Sequence, residues 1–201
     1  MGHNGGVNGV STRPWFGPLV GLITFVVVLV GAGVTSVGVD WGVRTAEMAD
    51  LLTRVEASEQ AMMMSQEEIA AIGEDFQQLS APTDADREAY ASRLAAAAGR
   101  GRDAIAEAGS GVEALSIAPW HASIVRAQED YLAHNRAWQE HLDRASEDPE
   151  EFNQPQDLIN STFEEAEVSL RAALPVPAVD TLQVRVDLIF APVPSEGGQA
   201  A

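Results

Sequence analysis

The stretch MADLLTRVEASEQAMMMSQEEIAAIGEDFQQL, residues 48–79, decides the fold of this chain. Its apolar positions alternate by three and four residues, which is the heptad spacing of a helix that packs against other helices. The positions of this seam are Met48, Leu51, Val55, Ser58, Met62, Ser65, Ile69, Ile72, Phe76 and Leu79. Acidic residues, among them Glu59, fall on the other faces. Because no proline lies between Trp41 and Ala81, the sequence predicts one long helix that Pro82 ends.

Three more amphipathic segments follow. Thr83, with Asp86 three residues on, predicts a capping box at the start of the second helix, and Gly109-Ser110-Gly111 predicts its end. Pro119 suits the first turn of a third helix, and a fourth is expected from about Pro155 to Leu174. The expected inward faces are Tyr90, Leu94, Ala97, Gly101, Ile105 and Ala108, then Trp120, Ile124, Ala127, Tyr131, His134, Trp138 and His141, and finally Leu158, Ile159, Phe163, Ala166, Leu170 and Leu174.

Four such helices with short connections bury their apolar faces most simply as an antiparallel bundle. The predicted fold class is therefore all-α, with an approximately four-helix bundle over residues 40–174. Residues 175–201 are expected to form a proline-bounded extended arm and a disordered tail. In the arm, Leu182, Val184, Val186 and Leu188 alternate with polar residues, which is a strand pattern. A single strand leaves its edges unsatisfied, so the arm is expected either to pack along the bundle or to pair with a partner chain.

An uncharged apolar segment precedes the bundle. Of the 21 residues from Leu19 to Val39, 13 are Leu, Ile, Val or Phe. As a helix they span about 31 Å, close to the hydrocarbon thickness of a bilayer. Trp15, Phe16 and Trp41 flank the segment as interfacial aromatic anchors. The sequence therefore predicts a transmembrane helix over residues 18–39, after a short tail of residues 1–17.

The charges on either side of this segment predict its orientation. The preceding flank carries Arg13 and no acid, whereas all 30 acidic residues follow the segment. The positive-inside rule then predicts a single-pass plasma-membrane protein with a cytoplasmic N-terminus and an extracytoplasmic bundle. A cleaved signal peptide is the rival interpretation, but the long apolar run favours an uncleaved signal-anchor. Small residues four apart, Gly31 with Thr35 and Ala32 with Ser36, are candidates for contact with another membrane helix.

Composition excludes several kinds of chemistry. The chain has no Cys, its 12 basic residues are all Arg, and its formal net charge is −18. These facts exclude disulfides, thiolate sites, a lysine Schiff base and general nucleic-acid binding. The sequence has no nucleophile elbow, phosphate loop or Glu-x-x-His pair, so we expect no enzyme, no catalytic residue, no metal and no cofactor. The acidic surface either repels anionic lipid headgroups or binds a basic partner. Separately, the exclusive use of Arg among the basic residues indicates a bacterial origin.

One aromatic-rich stripe on the third helix is the candidate binding site. Trp120, Tyr131, His134 and Trp138 are residues that line pockets for apolar or cationic ligands, or surfaces for partners. The same residues at seam spacing suit the bundle core, and the sequence favours the core. His134 and His141 are separated by two helical turns, about 10 Å, which is too far for one shared metal.

Two functions follow from this layout. The first is an interaction or accessory component of a cell-envelope membrane assembly, with the bilayer and a protein partner or second copy as its partners. The alternative is an extracytoplasmic small-ligand-binding or sensing module without its own cytoplasmic output domain. The layout resembles the sensing half of bacterial receptors, but no later apolar stretch is expected to cross the membrane a second time. The sequence favours the first function.

Overall fold

The computed structural model describes the backbone of residues 17–177 and 179–191, with side chains from residue 38 onward. The helices are α1 (Gly17–Gln77), α2 (Asp84–Glu113), α3 (Ala122–Glu147), α4 (Asp157–Ala173) and α5 (Asp180–Ile189), with a 3₁₀ turn at Pro149–Asn153. The chain divides into two compact units, residues 1–42 and 43–201. The all-α prediction is confirmed, because the described residues contain no strand.

The first unit contains the whole of the predicted membrane segment, residues 18–39, and the side chains of this segment are described only from residue 38 onward. Trp15, Phe16, Gly31, Ala32, Thr35 and Ser36 are therefore also outside the part of the chain whose side chains the structure describes. Trp41 is described and is partly exposed. Within the described residues, none of the helices combines the length and the apolar character needed to cross a membrane.

The second unit is a helical bundle, as predicted. Contacts near both ends of each helix pair show that consecutive helices run antiparallel. The defining pairs are Asp75–Arg93 and Arg54–Gly111 for α1 and α2, Val112–Gln128 and Asp143–Arg102 for α2 and α3, and Asp130–Ser169 and His141–Gln156 for α3 and α4. Contacts between α1 and α3, such as Glu47 with His121 and Ser58 with Asn135, bring these two helices together across the bundle.

The seam predicted for α1 forms the central layer of the core. Its buried members are Met48, Leu51, Val55, Ser58, Met62, Ser65 and Ile72. Leu79 is exposed because the helix ends at Gln77, five residues before the proline that was expected to end it. Most of the predicted stripe on α3 is also buried, and Trp120, which precedes the helix, is the exception. On α4 the prediction fails for Leu158, which is exposed, and holds for Ile159.

Helix α2 confirms one local prediction and corrects another. The Thr83 hydroxyl accepts from the Asp86 amide at 3.2 Å, and the Asp86 carboxylate accepts from the Thr83 amide at 2.8 Å, so the capping box is present. The predicted break at Gly109-Ser110-Gly111 is wrong, because the helix continues to Glu113. Gly109 instead allows close packing, since a Cβ there would lie 2.4 Å from Oδ1 of Asn135.

The predicted C-terminal strand is wrong. Leu182, Val184, Val186 and Leu188 lie on helix α5, where Leu182 and Val186 are buried in the core while Val184 and Leu188 are exposed. Alternating residues also form pairs four apart, which share one helical face. A helix satisfies its own backbone hydrogen bonds, whereas a lone strand does not. Residues 180–189 of the predicted extended arm are therefore not extended but form a fifth helix that packs on the bundle.

Candidate functional site

A cavity of about 640 Å³ lies between α1, α3, α4 and α5, and we call it the Glu59 cavity. It is lined by Glu56, Glu59, Gln60, Met62, Met63 and Gln66 of α1, His134 and Trp138 of α3, Gln156, Ile159, Asn160 and Phe163 on and before α4, and Arg185, Leu188, Ile189 and Ala191 on and after α5. A second cavity of about 690 Å³ lies over the α2–α3 connection, but none of its lining side chains is buried. The Glu59 cavity reaches into the core and the second one does not.

The sequence builds this cavity by helical spacing. Glu59 and Met62 are three residues apart on α1, and His134 and Trp138 are four apart on α3, so each pair shares one face. Helix α5 then closes one side of the cavity, because Arg185 holds it to α1. Half of the residues that line the cavity are apolar or aromatic and half are polar.

Glu59 is the polar group most altered by this environment. The Tyr131 hydroxyl donates to its Oε1 at 2.9 Å, and Nε2 of His134 lies 3.9 Å from the same oxygen. About a quarter (24%) of the Glu59 side chain is exposed. Burial raises the pKa of Glu59 from 4.5 to about 7, and the hydrogen bond from Tyr131 opposes this only in part. Near neutral pH the carboxyl group is therefore present in both its neutral and its charged form.

The neighbours of Glu59 on α3 are neutral at that pH. Burial lowers the pKa of His134 from 6.5 to about 4, so its imidazole is uncharged. Its Nδ1 lies 3.2 Å from Oγ1 of Thr162 on α4. Burial also raises the pKa of the Tyr131 phenol well above its ordinary value, so the phenol keeps its proton. Neither side chain supplies a positive charge to the carboxylate of Glu59.

Arg185 and Glu56 form an ion pair at the cavity, in which the positive charge of one side chain compensates the negative charge of the other. The guanidinium binds the Glu56 carboxylate through two nitrogens, at 2.6 and 2.8 Å. It also donates to Oγ1 of Thr53 at 2.9 Å and to the Ala49 carbonyl at 3.3 Å. This bidentate pair fixes α5 against α1 and leaves Arg185 with its donors largely engaged.

The structure brings together three of the four residues of the predicted stripe. Tyr131 is fully buried in the core, while His134 and Trp138 lie between the core and the Glu59 cavity. Trp120 does not join them, because its side chain is 71% exposed and lies outside the cavity lining. Tyr131 is therefore a core residue, whereas His134 and Trp138 are buried and also line the cavity.

Sequence reasoning missed several residues of this cavity. The sequence placed Glu59 on a face of α1 other than the seam, and it predicted a strand over the residues around Arg185, yet both residues line the cavity. The signal for Glu59 was available, because it lies three residues before Met62 and therefore beside the seam. No comparable signal identified Arg185, whose position depends on α5 being a helix.

This arrangement can accept hydrogen bonds, surround an apolar body and hold one negative charge. Among the residues that the structure describes, no three His, Cys, Asp or Glu side chains are grouped so that they could hold a metal ion. Comparisons with protein-family models, curated proteins and solved structures give no match to this chain. The geometry and chemistry of the cavity therefore carry the functional argument.

Proposed function

We propose that this chain is a membrane-anchored helical bundle that binds a small organic ligand in the Glu59 cavity. The observation that carries the proposal is the cavity itself, which has a volume of about 640 Å³ and includes the buried side chains of Met62, His134, Trp138 and Ile159 in its lining. Ligand sites of small molecules have volumes of roughly 300 to 1,000 Å³ and combine apolar walls with a few convergent polar groups. This function is the second of the two that the sequence analysis weighed.

Membrane anchoring is a separate part of the proposal, and the apolar run of residues 19–39 supports it. The chain contains no cysteine, so a single introduced one is a unique chemical label. We expect a cysteine at Ser11 to react with an impermeant maleimide only after the cells are opened. A cysteine at the exposed Ser80 should react in cells whose outer layers are permeable but whose plasma membrane is intact. The reverse pattern would contradict the orientation, and release of the chain by alkaline carbonate would contradict the anchor.

Ligand binding can be tested through the emission of Trp138, which lines the cavity. The full chain, reconstituted in lipid nanodiscs with Trp120→Phe to reduce background, would be titrated with a panel of small cationic, neutral and anionic metabolites. We expect at least one class to change the emission saturably, and Trp138→Phe to abolish that change. If no compound produces a change that depends on Trp138, the proposed function is wrong.

A matched pair of cysteine variants tests whether the ligand enters this cavity. Asn160 is exposed and lines the cavity, whereas its exposed neighbour Ser161 does not. Labelling Asn160→Cys with a bulky maleimide should block binding, and labelling Ser161→Cys should leave it intact. Equal effects at the two positions would indicate a binding site elsewhere.

A second candidate function is the interaction role, that of an accessory component of a membrane assembly. The observation that favours it is an apolar face of α5, where Val184 is 54% and Leu188 is 70% exposed. A protein partner or a second copy would cover this face. We expect mild-detergent extracts to contain a particle larger than the monomer, which Val184→Glu disrupts and Gln183→Glu does not. A monomer that co-purifies with nothing would contradict this function.

A further inference from the structure

The charges around the Glu59 cavity do not cancel. Of the described residues that line it, only Arg185 carries a permanent positive charge, and Glu56 binds that charge through two hydrogen bonds. The imidazole of His134 is 3.9 Å from Glu59 and neutral at pH 7, so it does not compensate the carboxylate. When Glu59 ionises, the described residues that line the cavity therefore carry one net negative charge that no cationic side chain among them compensates, although the Tyr131 hydroxyl donates a hydrogen bond to it.

The other lining residues are apolar or aromatic side chains and the neutral amides of Gln60, Gln66, Gln156 and Asn160. Trp138 and Ile159 are buried and line it, together with Met62 and Phe163. Aromatic faces attract cations as well as apolar groups. The same cavity therefore offers a carboxylate and an aromatic wall, and this combination suits a positively charged group attached to an apolar body.

We infer that the small ligand in the function proposed above is an organic cation, an ammonium group joined to an apolar body. The ammonium binds the carboxylate of Glu59, and the body packs against Trp138, Met62 and Phe163. The net charge of −18 favours the same class, because a negative surface raises the local concentration of cations and repels anions.

The inference also predicts how affinity depends on pH. The ionisable groups that face the cavity are Glu56 and Glu59 from α1, His134 from α3 and Arg185 from α5, with Tyr131 of α3 behind Glu59, while α4 contributes only neutral lining residues. Of these, Glu59 has its pKa near 7. Ammonium binding requires the ionised carboxylate, so affinity should rise between pH 6 and pH 8 and level off above that.

A series of three compounds with one shape tests the charge requirement directly. These are 4-phenylbutylamine, 4-phenylbutanol and 4-phenylbutyrate, which are cationic, neutral and anionic at pH 8. Binding to the full chain in nanodiscs would be measured by calorimetry, with empty nanodiscs subtracted. We expect the amine to bind about tenfold more tightly than the alcohol, as for one charge-assisted hydrogen bond, and the butyrate to bind most weakly.

Two isosteric variants complete the experiment. Glu59→Gln should remove the preference for the amine and its dependence on pH, whereas Glu67→Gln, an equal change of charge at an exposed position of α1, should preserve both. If amine and alcohol bind equally in a manner that depends on Trp138, or if Glu59→Gln keeps the preference, the ligand is not recognised by its charge and the inference is wrong, although the proposed function stands. If none of the three binds at millimolar concentration, the inference is wrong, and the metabolite panel described above decides the proposed function separately.

Discussion

Replacing Glu59 with glutamine should stabilise the bundle at alkaline pH and leave its stability unchanged at acid pH. In the folded chain the pKa of Glu59 is about 7, and its ordinary value is 4.5. Below pH 4.5 the carboxyl group is protonated in both the folded and the unfolded chain, so it costs nothing. Between pH 4.5 and 7 the unfolded chain releases the proton while the folded chain keeps it, so the wild-type protein loses stability as the pH rises. Glutamine does not titrate and can still accept the Tyr131 hydrogen bond, so the variant avoids this loss.

The size of the effect follows from the same two pKa values. A difference of about 2.5 corresponds to about 3 kcal/mol in the free energy of unfolding. Since 24% of the side chain remains exposed, solvent screening reduces this to between about 2 and 3 kcal/mol. For a chain of 201 residues, that difference raises the melting temperature by roughly 4 to 12 °C at pH 8.

The assay is thermal unfolding of the full-length wild type and Glu59→Gln in one detergent, at half-unit intervals from pH 4 to pH 9. The difference between the two melting curves isolates the contribution of Glu59 from every other titrating group. Glu67→Gln serves as the control and should give a small difference that does not vary with pH. A Glu59→Gln variant that is less stable than wild type at pH 8, or whose advantage does not grow with pH, would refute the reasoning.

Three further predictions concern the rest of the bundle. The pKa of His134 is lowered from 6.5 to about 4 in the folded chain. As the pH falls from 6.5 to 4, the free energy of unfolding of the wild type should therefore fall by roughly 3 kcal/mol relative to that of His134→Gln, measured by denaturant unfolding. Gly109→Ala should lower the free energy of unfolding by roughly 1 to 3 kcal/mol, because the added Cβ would lie 2.4 Å from a side-chain oxygen of α3. Gly99→Ala, in open space on the same helix, should raise it by about 0.5 to 1 kcal/mol. Equal melting temperatures of the two variants would contradict both predictions. Leu182→Ala should lower the free energy of unfolding by roughly 2 to 4 kcal/mol because Leu182 is buried, and Val184→Ala should lower it by less than about 0.5 kcal/mol because Val184 is exposed. Equal losses would favour the strand instead of the helix.

The helices of the bundle could be predicted because their signals are local and repeated. The seam of α1 extends over many turns, so a few polar interruptions such as Ser58 do not obscure its period. The capping box of Thr83 and Asp86 needs only four consecutive residues, and it forms as predicted. Local hydrogen bonds and periodicity depend little on what the rest of the chain does, which is why these features were accessible before the fold was known.

Helix α5 and the glycines of α2 show where local signals fail. Ten residues with apolar positions at 182, 184, 186 and 188 fit both a strand of period two and a helix with pairs four apart. Only the core contacts of Leu182 and Val186 distinguish the two. In the sequence Gly109 looks like a residue that ends a helix. The structure shows that it lies within the helix and against the side chain of Asn135, where a residue with a Cβ would not fit.

The amino-acid sequence by itself determined that the chain is helical, strongly acidic and free of cysteine and lysine, and that an apolar segment precedes the bundle. These are properties of composition and short-range order. It also selected Trp120, Tyr131, His134 and Trp138 as a stripe, of which Trp120 lies apart from the other three. Only the tertiary structure decided that Glu59 faces this stripe and that Arg185 is neutralised by Glu56. The physical reason is that burial and charge compensation depend on which distant residues share a cavity, and Glu59 and Tyr131 are 72 positions apart in the chain, too far for any local pattern to indicate their contact.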